Sequence, residues 1–184
     1  MIPRHWLTCI VPTLLLSATV TATPATAQPQ NRFDVRIATE IGRQIDRYPQ
    51  LTIFDDVSGT VDDAVVTLTG KVTTPFKKSE IGKRAAAVEG VRRVVNNIDV
   101  LPVSPYDEEL RLRIARAIYG NSAFWQYGAS ANPPIHIIVE HGHVTLTGVV
   151  NSHVDRALAR SLATGFGELS VTNALKTDAE LRSE

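Results

Sequence analysis

A five-residue string that occurs twice constrains this chain more than any other feature. Val66-Thr67-Leu68-Thr69-Gly70 returns as Val144-Thr145-Leu146-Thr147-Gly148. Upstream, Ile37, Ile41 and Ile45 have counterparts in Leu110, Ile114 and Ile118. Downstream, Gly90, Val94, Asn96 and Ile98 correspond to Gly167, Val171, Asn173 and Leu175, with one residue deleted in the second copy between the five-residue string and this set. Three anchors in one order indicate duplication of a single supersecondary unit. Between the copies, Pro102 and Pro105 restrict Leu101 to Tyr106 to extended conformations, which makes a short, fairly stiff linker.

Each copy predicts helix, strand, strand, helix, strand. Ile37, Ile41 and Ile45 form one helical stripe. Val57 to Val61 and Val66 to Val72 alternate apolar and polar residues, as a hairpin with one buried face does. The turns fall at Asp63-Ala64 and His141-Gly142. Gly142 takes positive φ at little cost and Ala64 does not, so the first turn is the weaker signal. Ile81, Ala85 and Val88 stripe the second helix of copy one, and Val154, Leu158 and Leu162 that of copy two. Val91 to Val100 and Leu169 to Leu175 read as the last strands. A strand-helix-strand step makes the second and third strands parallel. The expected class is α+β: two αββαβ units, each a three-stranded mixed sheet covered on one face by two helices. Thr67, Thr69, His143 and Thr145 are expected on the other, half-solvated face.

This order of elements resembles the BON domain. The residues that carry the resemblance are V-x-L-x-G closing each hairpin and the G-to-N-x-[IL] block opening each last strand. The copies cover residues 34–102 and 107–176, with a linker at 103–106 and tails at 28–33 and 177–184. The resemblance implies an envelope location and a role in binding phospholipid surfaces or supporting envelope integrity, as in tandem-BON periplasmic proteins. It implies no catalytic residues and no cofactor. Two departures touch fine geometry: the first hairpin turn lacks its glycine, and Glu168 stands where the pattern wants valine.

The chain opens with Arg4 and His5, an apolar run from Trp6 to Val20, and small residues ending in Ala25-Thr26-Ala27. That order is expected of a secretory signal peptide over residues 1–27, cleaved after Ala27 or, as the runner-up, after Ala22. The apolar run is short for a bilayer span, which needs roughly 20 residues, so a retained anchor is the lesser alternative. Cys9 lies inside this run and would leave with it. A periplasmic location follows as an expectation. The 19 basic and 19 acidic residues cancel, which gives no footprint for a nucleic-acid binder.

Among structural positions, Gly70 and Gly148 are expected where a side chain would strike the second helix, and Gly90 and Gly167 open the last strands. Asn96 and Asn173 alternate away from the buried positions and are free to hydrogen-bond a neighbouring loop. The strongest functional candidates are Phe124, Trp125 and Tyr127, in a segment that makes copy two about five residues longer than copy one. Amphipathic rings on a loop suit a membrane interface. The competing expectation is that they pack between the copies, because small units gain from mutual burial. Next come Lys77, Lys78, Lys83 and Arg84, with Arg92 and Arg93, a basic group that would attract anionic lipid unless it is an ordinary solvated face. Asp55, Asp56, Asp62 and Asp63 gather near the hairpin.

His136, His141, His143 and His153 all lie in copy two, without the spacing or second shell of a zinc site. No nucleophile elbow, phosphate loop or H-E-x-x-H helix is present in the sequence. The expectation is a non-enzymatic protein with no metal, cofactor or small-molecule substrate. Its expected partner is a phospholipid membrane surface or envelope components. The alternative is a chaperone-like or scaffold module for envelope proteins, since an open edge strand can accept a client strand. The oligomeric state stays open.

Overall fold

A computed structural model describes residues 29–130 and 132–182. The leader, Cys9 and both candidate cleavage positions lie outside the described residues. Repeat 1 runs α1 (Pro29–Asp46), β1 (Asp56–Asp62), β2 (Val65–Val72), α2 (Pro75–Ala86) and β3 (Arg93–Val100). Repeat 2 runs α3 (Pro105–Tyr119), a 3-10 turn (Ser122–Phe124), α4 (Trp125–Gly128), β4 (Ile135–Glu140), β5 (His143–Val150), α5 (His153–Leu162), β6 (Ser170–Asn173), β7 (Lys176–Thr177) and α6 (Asp178–Leu181). The fold is α+β, as the periodicity predicts.

In each sheet the first two strands pair antiparallel and the last pairs parallel to the middle one. The last strand of repeat 2 comes in two pieces, β6 and β7, both parallel to β5. The predicted C-terminal tail therefore contributes: Thr177 starts α6 with a reciprocal capping box, and Arg156 pairs with Glu180. The linker is shorter than its sequence, because Ser104 caps α3 and Pro105 occupies its first turn, where the missing N–H costs nothing. The N-terminal tail is likewise helical from Pro29.

Local chemistry explains the helix starts. Thr74 and Ser152 each accept the N–H three residues on, at 3.3 and 3.1 Å, and so begin α2 and α5. Ile37, Ile41 and Ile45 bury one face of α1 against Leu68, Ile81 and Ile98. Leu110, Ile114 and Ile118 do the same in repeat 2 against Ile137, Leu146 and Leu175.

Both hairpins turn through two residues of positive φ: 47° and 58° at Asp63 and Ala64, 51° and 77° at His141 and Gly142. This is the turn whose twist matches paired strands. Ala64 thus adopts the conformation that its Cβ disfavours. What holds it is Asp34, whose carboxylate accepts the N–H groups of Asp63 and Ala64 at 3.1 and 3.0 Å. In repeat 2 the buried Asp107 accepts those of His141 and Gly142 at 2.9 and 2.8 Å. Asp34 and Asp107 stand three residues before Ile37 and Leu110, so this clasp is a fourth repeat anchor that the sequence alignment passes over.

The glycines after each hairpin are needed for a different reason than expected. A Cβ on Gly70 would lie 2.1 Å from the Asp56 carbonyl oxygen, and one on Gly148 would lie 1.9 Å from that of Pro134. The clash is with the chain entering the first hairpin strand, not with the second helix.

Candidate functional site

The aromatic segment of repeat 2 divides by exposure. Phe124 is wholly buried and Tyr127 nearly so, and their rings meet at 5.5 Å inside repeat 2's own core. Contrary to expectation, neither ring faces a lipid or a partner, and neither fills a gap between the repeats. The 3-10 turn and α4 fold them inward, where burial of two rings outweighs any surface role. Trp125 points the other way and is 71% exposed. The Tyr127 hydroxyl donates to Asp155 Oδ2 at 2.8 Å and accepts the Asn151 N–H at 2.9 Å. Burial pushes its pKa up, and the Asp155 carboxylate adds to that. This bond joins α4 to the start of α5. Trp125 and Val154, which is 74% exposed, therefore share one end of repeat 2. The sequence stripe placed Val154 inward; it sits too early in α5 to reach the core.

The basic group of repeat 1 does not form the expected patch. Lys77 is buried, and its ammonium donates to Asp55 Oδ2 at 2.6 Å and Thr73 Oγ1 at 2.7 Å. Asp55 is wholly buried, just before β1 rather than in the hairpin turn, and also accepts from the Thr52 and Thr73 N–H groups at 2.8 and 2.7 Å. Burial works to raise its pKa, but Lys77 and these N–H donors outweigh that and hold the carboxyl below the usual value. Arg84 stacks on the Tyr48 ring at 4.8 Å. Lys83 pairs with Glu80 at 2.8 Å, and Arg92 with Asp63 at 2.9 Å. Lys78 is half-buried.

One backbone position explains why the repeats differ here. The N–H before the second-helix cap, of Thr73 or Asn151, needs an acceptor from the segment between the first helix and the hairpin. Repeat 1 supplies Asp55, which brings in Lys77; repeat 2 supplies Tyr127, which brings in Asp155. Lys77 and Asp155 occupy the same place in their helices. Two unrelated polar pairs solve one geometric demand.

Asn96 and Asn173 face the helices, not away from them. Their amides donate to the Lys78 and Arg156 carbonyls at 2.8 and 2.7 Å, fastening strand to second helix. Gly90 and Gly167 have φ of 92° and 96°. Glu168, the departure from the pattern, accepts the Gly165 and Phe166 N–H groups, both at 2.8 Å, and closes that loop. His141, His143 and His153 are exposed and His136 half-buried. Register places His136 and His143 on the helix-free face of the second sheet. Among the described residues no group of three His, Cys, Asp or Glu side chains is placed to hold a metal ion.

The repeats meet through the loop before β1. Ile53 and Phe54 pack on the core of repeat 2, and the Ile137 N–H donates to the Ile53 carbonyl at 2.7 Å. Asn132 Nδ2 donates to the Asp46 carbonyl at 2.9 Å, and Lys71 pairs with Glu140 across the seam. The sequence carried a signal for this contact in Leu51-Thr52-Ile53-Phe54, an apolar run outside both predicted strands.

Among solved structures, two from a structural protein of the type III secretion system of Chlamydia trachomatis, CdsD, are similar. One is 16% identical at a TM-score of 0.29, covering 80% of this chain and 96% of that one. The other, its C-terminal domain, is 13% identical at 0.28, covering 77% and 96%. No curated protein matches the chain. The BON domain model matches twice, at residues 33–102 and 107–179, one match on each structural repeat. Two sheets of the same topology, each backed by two helices and each matched over its length, make this chain a member of the BON domain family, a family of non-catalytic binding domains.

Proposed function

We propose that this chain is a non-enzymatic protein of the bacterial envelope, exported to the periplasm through a cleaved leader. It associates peripherally with phospholipid membrane through the end of repeat 2 and supports envelope integrity under osmotic stress. The observation that carries the reading is the exposure of Trp125, on the short helix that Tyr127 ties to the start of α5, where Val154 is exposed as well. An indole with an apolar body and one N–H is suited to the headgroup boundary. BON domains bind phospholipid, which supports the reading at family level. Among the described residues no helix is long and apolar enough to cross a membrane, so the association proposed is peripheral.

Repeat 1's basic residues give this little electrostatic help, since Lys77, Lys83 and Arg84 already have partners within the repeat. Binding is therefore expected to be driven by apolar insertion and to survive moderate salt. Co-sedimentation with vesicles containing phosphatidylglycerol tests it. Trp125→Ala should abolish most binding while leaving the melting temperature within about 2 °C, as a surface substitution does. Equal binding by the variant would overturn the assignment of this end. The protein-interaction alternative is favoured by one separate observation, the open edge of β1.

A further inference from the structure

The two repeats treat the outer edge of their first strand differently. Ile137 sends its N–H away from β5, so Ile135, Ile137 and Val139 carry the outward groups of β4. All three are engaged. The Tyr119 hydroxyl donates to the Ile135 carbonyl at 2.5 Å and the Arg111 guanidinium to the Val139 carbonyl at 2.7 Å, while Ile137 donates to Ile53. In repeat 1 the same places belong to Val57, Gly59 and Val61, because Val57 faces Gly70 as Ile135 faces Gly148. Helix α1 carries Ala38 where α3 carries Arg111, and Asp46 where α3 carries Tyr119. An alanine has no donor and a carboxylate only accepts. Among the described residues no hydrogen bond from outside the hairpin reaches the backbone of Val57, Gly59 or Val61.

This open edge has a cavity beside it. A groove of about 120 Å³ runs between α1 and β1, walled by Ala38, Gly42 and Gly59 over Ile41 and Ile45. Ala115, at the place of Gly42, belongs with Ile53 and Phe54 to the layer packed on repeat 2's core. The chain itself thus displays what the equivalent edge of repeat 2 accepts: a turn that presents a β-branched and an aromatic side chain, Ile53 and Phe54, and one main-chain carbonyl to the strand edge. The far edges are blunted by contrast. Asn96 Oδ1 takes the Ile98 N–H at 3.2 Å, and Asn173 Oδ1 takes that of Leu175 at 3.3 Å.

We propose that the outer edge of β1 captures an extended protein segment as an added strand, with an aliphatic or aromatic side chain lodged over Gly42 and Gly59. Main-chain pairing supplies the affinity and the small-residue groove the selectivity. Asp46, Asp56 and Asp62 flank the edge, so the segment is apolar with basic rather than acidic neighbours. This inference rests on the protein-interaction reading and is independent of the lipid one.

The test uses the chain carrying both repeats and a labelled peptide of the sequence Lys-Leu-Thr-Ile-Phe-Lys, followed by fluorescence anisotropy and amide shifts. The wild type should bind it, with shifts centred on Val57 to Val61. Ala38→Arg with Asp46→Tyr grafts the closures of repeat 2 and should weaken binding at least about tenfold. An unchanged thermal melt shows that the variant folds. Equal binding by this double variant, or shifts centred on β3 or α2, overturns the edge assignment and leaves the protein-interaction reading standing. Failure of the wild type to bind overturns both. A concentration-dependent dimer that excludes the peptide also overturns the proposal, making a second copy the occupant.

Discussion

Replacing Lys77 by methionine isolates the buried pair that shapes the seam. The stem is kept and the ammonium removed. Asp55 then retains the N–H and hydroxyl donors of Thr52 and Thr73, at 2.7 to 2.9 Å, but loses its one charged partner among the described residues. Because Asp55 is wholly buried, water cannot replace that partner. Breaking a buried pair from one side costs about 3–5 kcal/mol. For a chain of this size that is a fall of roughly 6–20 °C in melting temperature, at about 2–4 °C per kcal/mol. Asp55→Asn with Lys77→Met removes both charges and should recover most of the loss, because buried pairs are often replaceable by neutral groups.

The pH dependence has a fixed sign. The folded Asp55 carboxyl titrates below its ordinary value of 3.8. A depressed folded value contributes stability that is fully present above the unfolded pKa and lost as pH falls through the folded one. The gap between wild type and Lys77→Met should therefore be widest near neutrality and narrow below about pH 4. Urea unfolding at pH 7 and in steps downward from pH 4 measures it. A cost under about 1 kcal/mol at pH 7, or a gap that does not shrink in acid, would refute the argument that this pair is a dry, ionised contact. Since the same loop carries Ile53 and Phe54 into repeat 2, the variant should also loosen the seam, seen as faster exchange of the Ile137 amide.

Two further outcomes test the packing argument. Asp107→Ala strands the N–H groups of His141 and Gly142 and should cost about 2–3 kcal/mol by urea unfolding, more than Asp34→Ala at its half-exposed counterpart. Phe124→Ala opens a cavity in the core of repeat 2 and should cost about 3–5 kcal/mol; a loss below 1 kcal/mol would mean that the ring is not packed as described.

The duplication, the element order, the parallel last strand and the glycine after each hairpin were legible from residue pattern, because period and spacing report local geometry. The sorting of candidate residues was not. Phe124 and Trp125 are adjacent and equally aromatic, yet one is buried and the other exposed, and only the direction of the 3-10 turn separates them. The amphipathic stripe rightly placed Ile81 and Ala85 inward but gave no sign that Lys77 would join them. A lysine is buried only when an acceptor waits inside, and here that acceptor lies 22 residues away.

The same distance explains the other surprises. Ala64 is held at positive φ by a carboxylate 30 residues upstream, and Tyr127 finds Asp155 28 residues on. Sequence by itself determined which faces are apolar and therefore that two like sheets form. Tertiary structure alone decided which polar groups meet, which edge strand is closed by its neighbours and which is left open. Hydrophobic patterning is a property of consecutive residues, whereas a hydrogen bond across the fold depends on where distant backbone places two atoms.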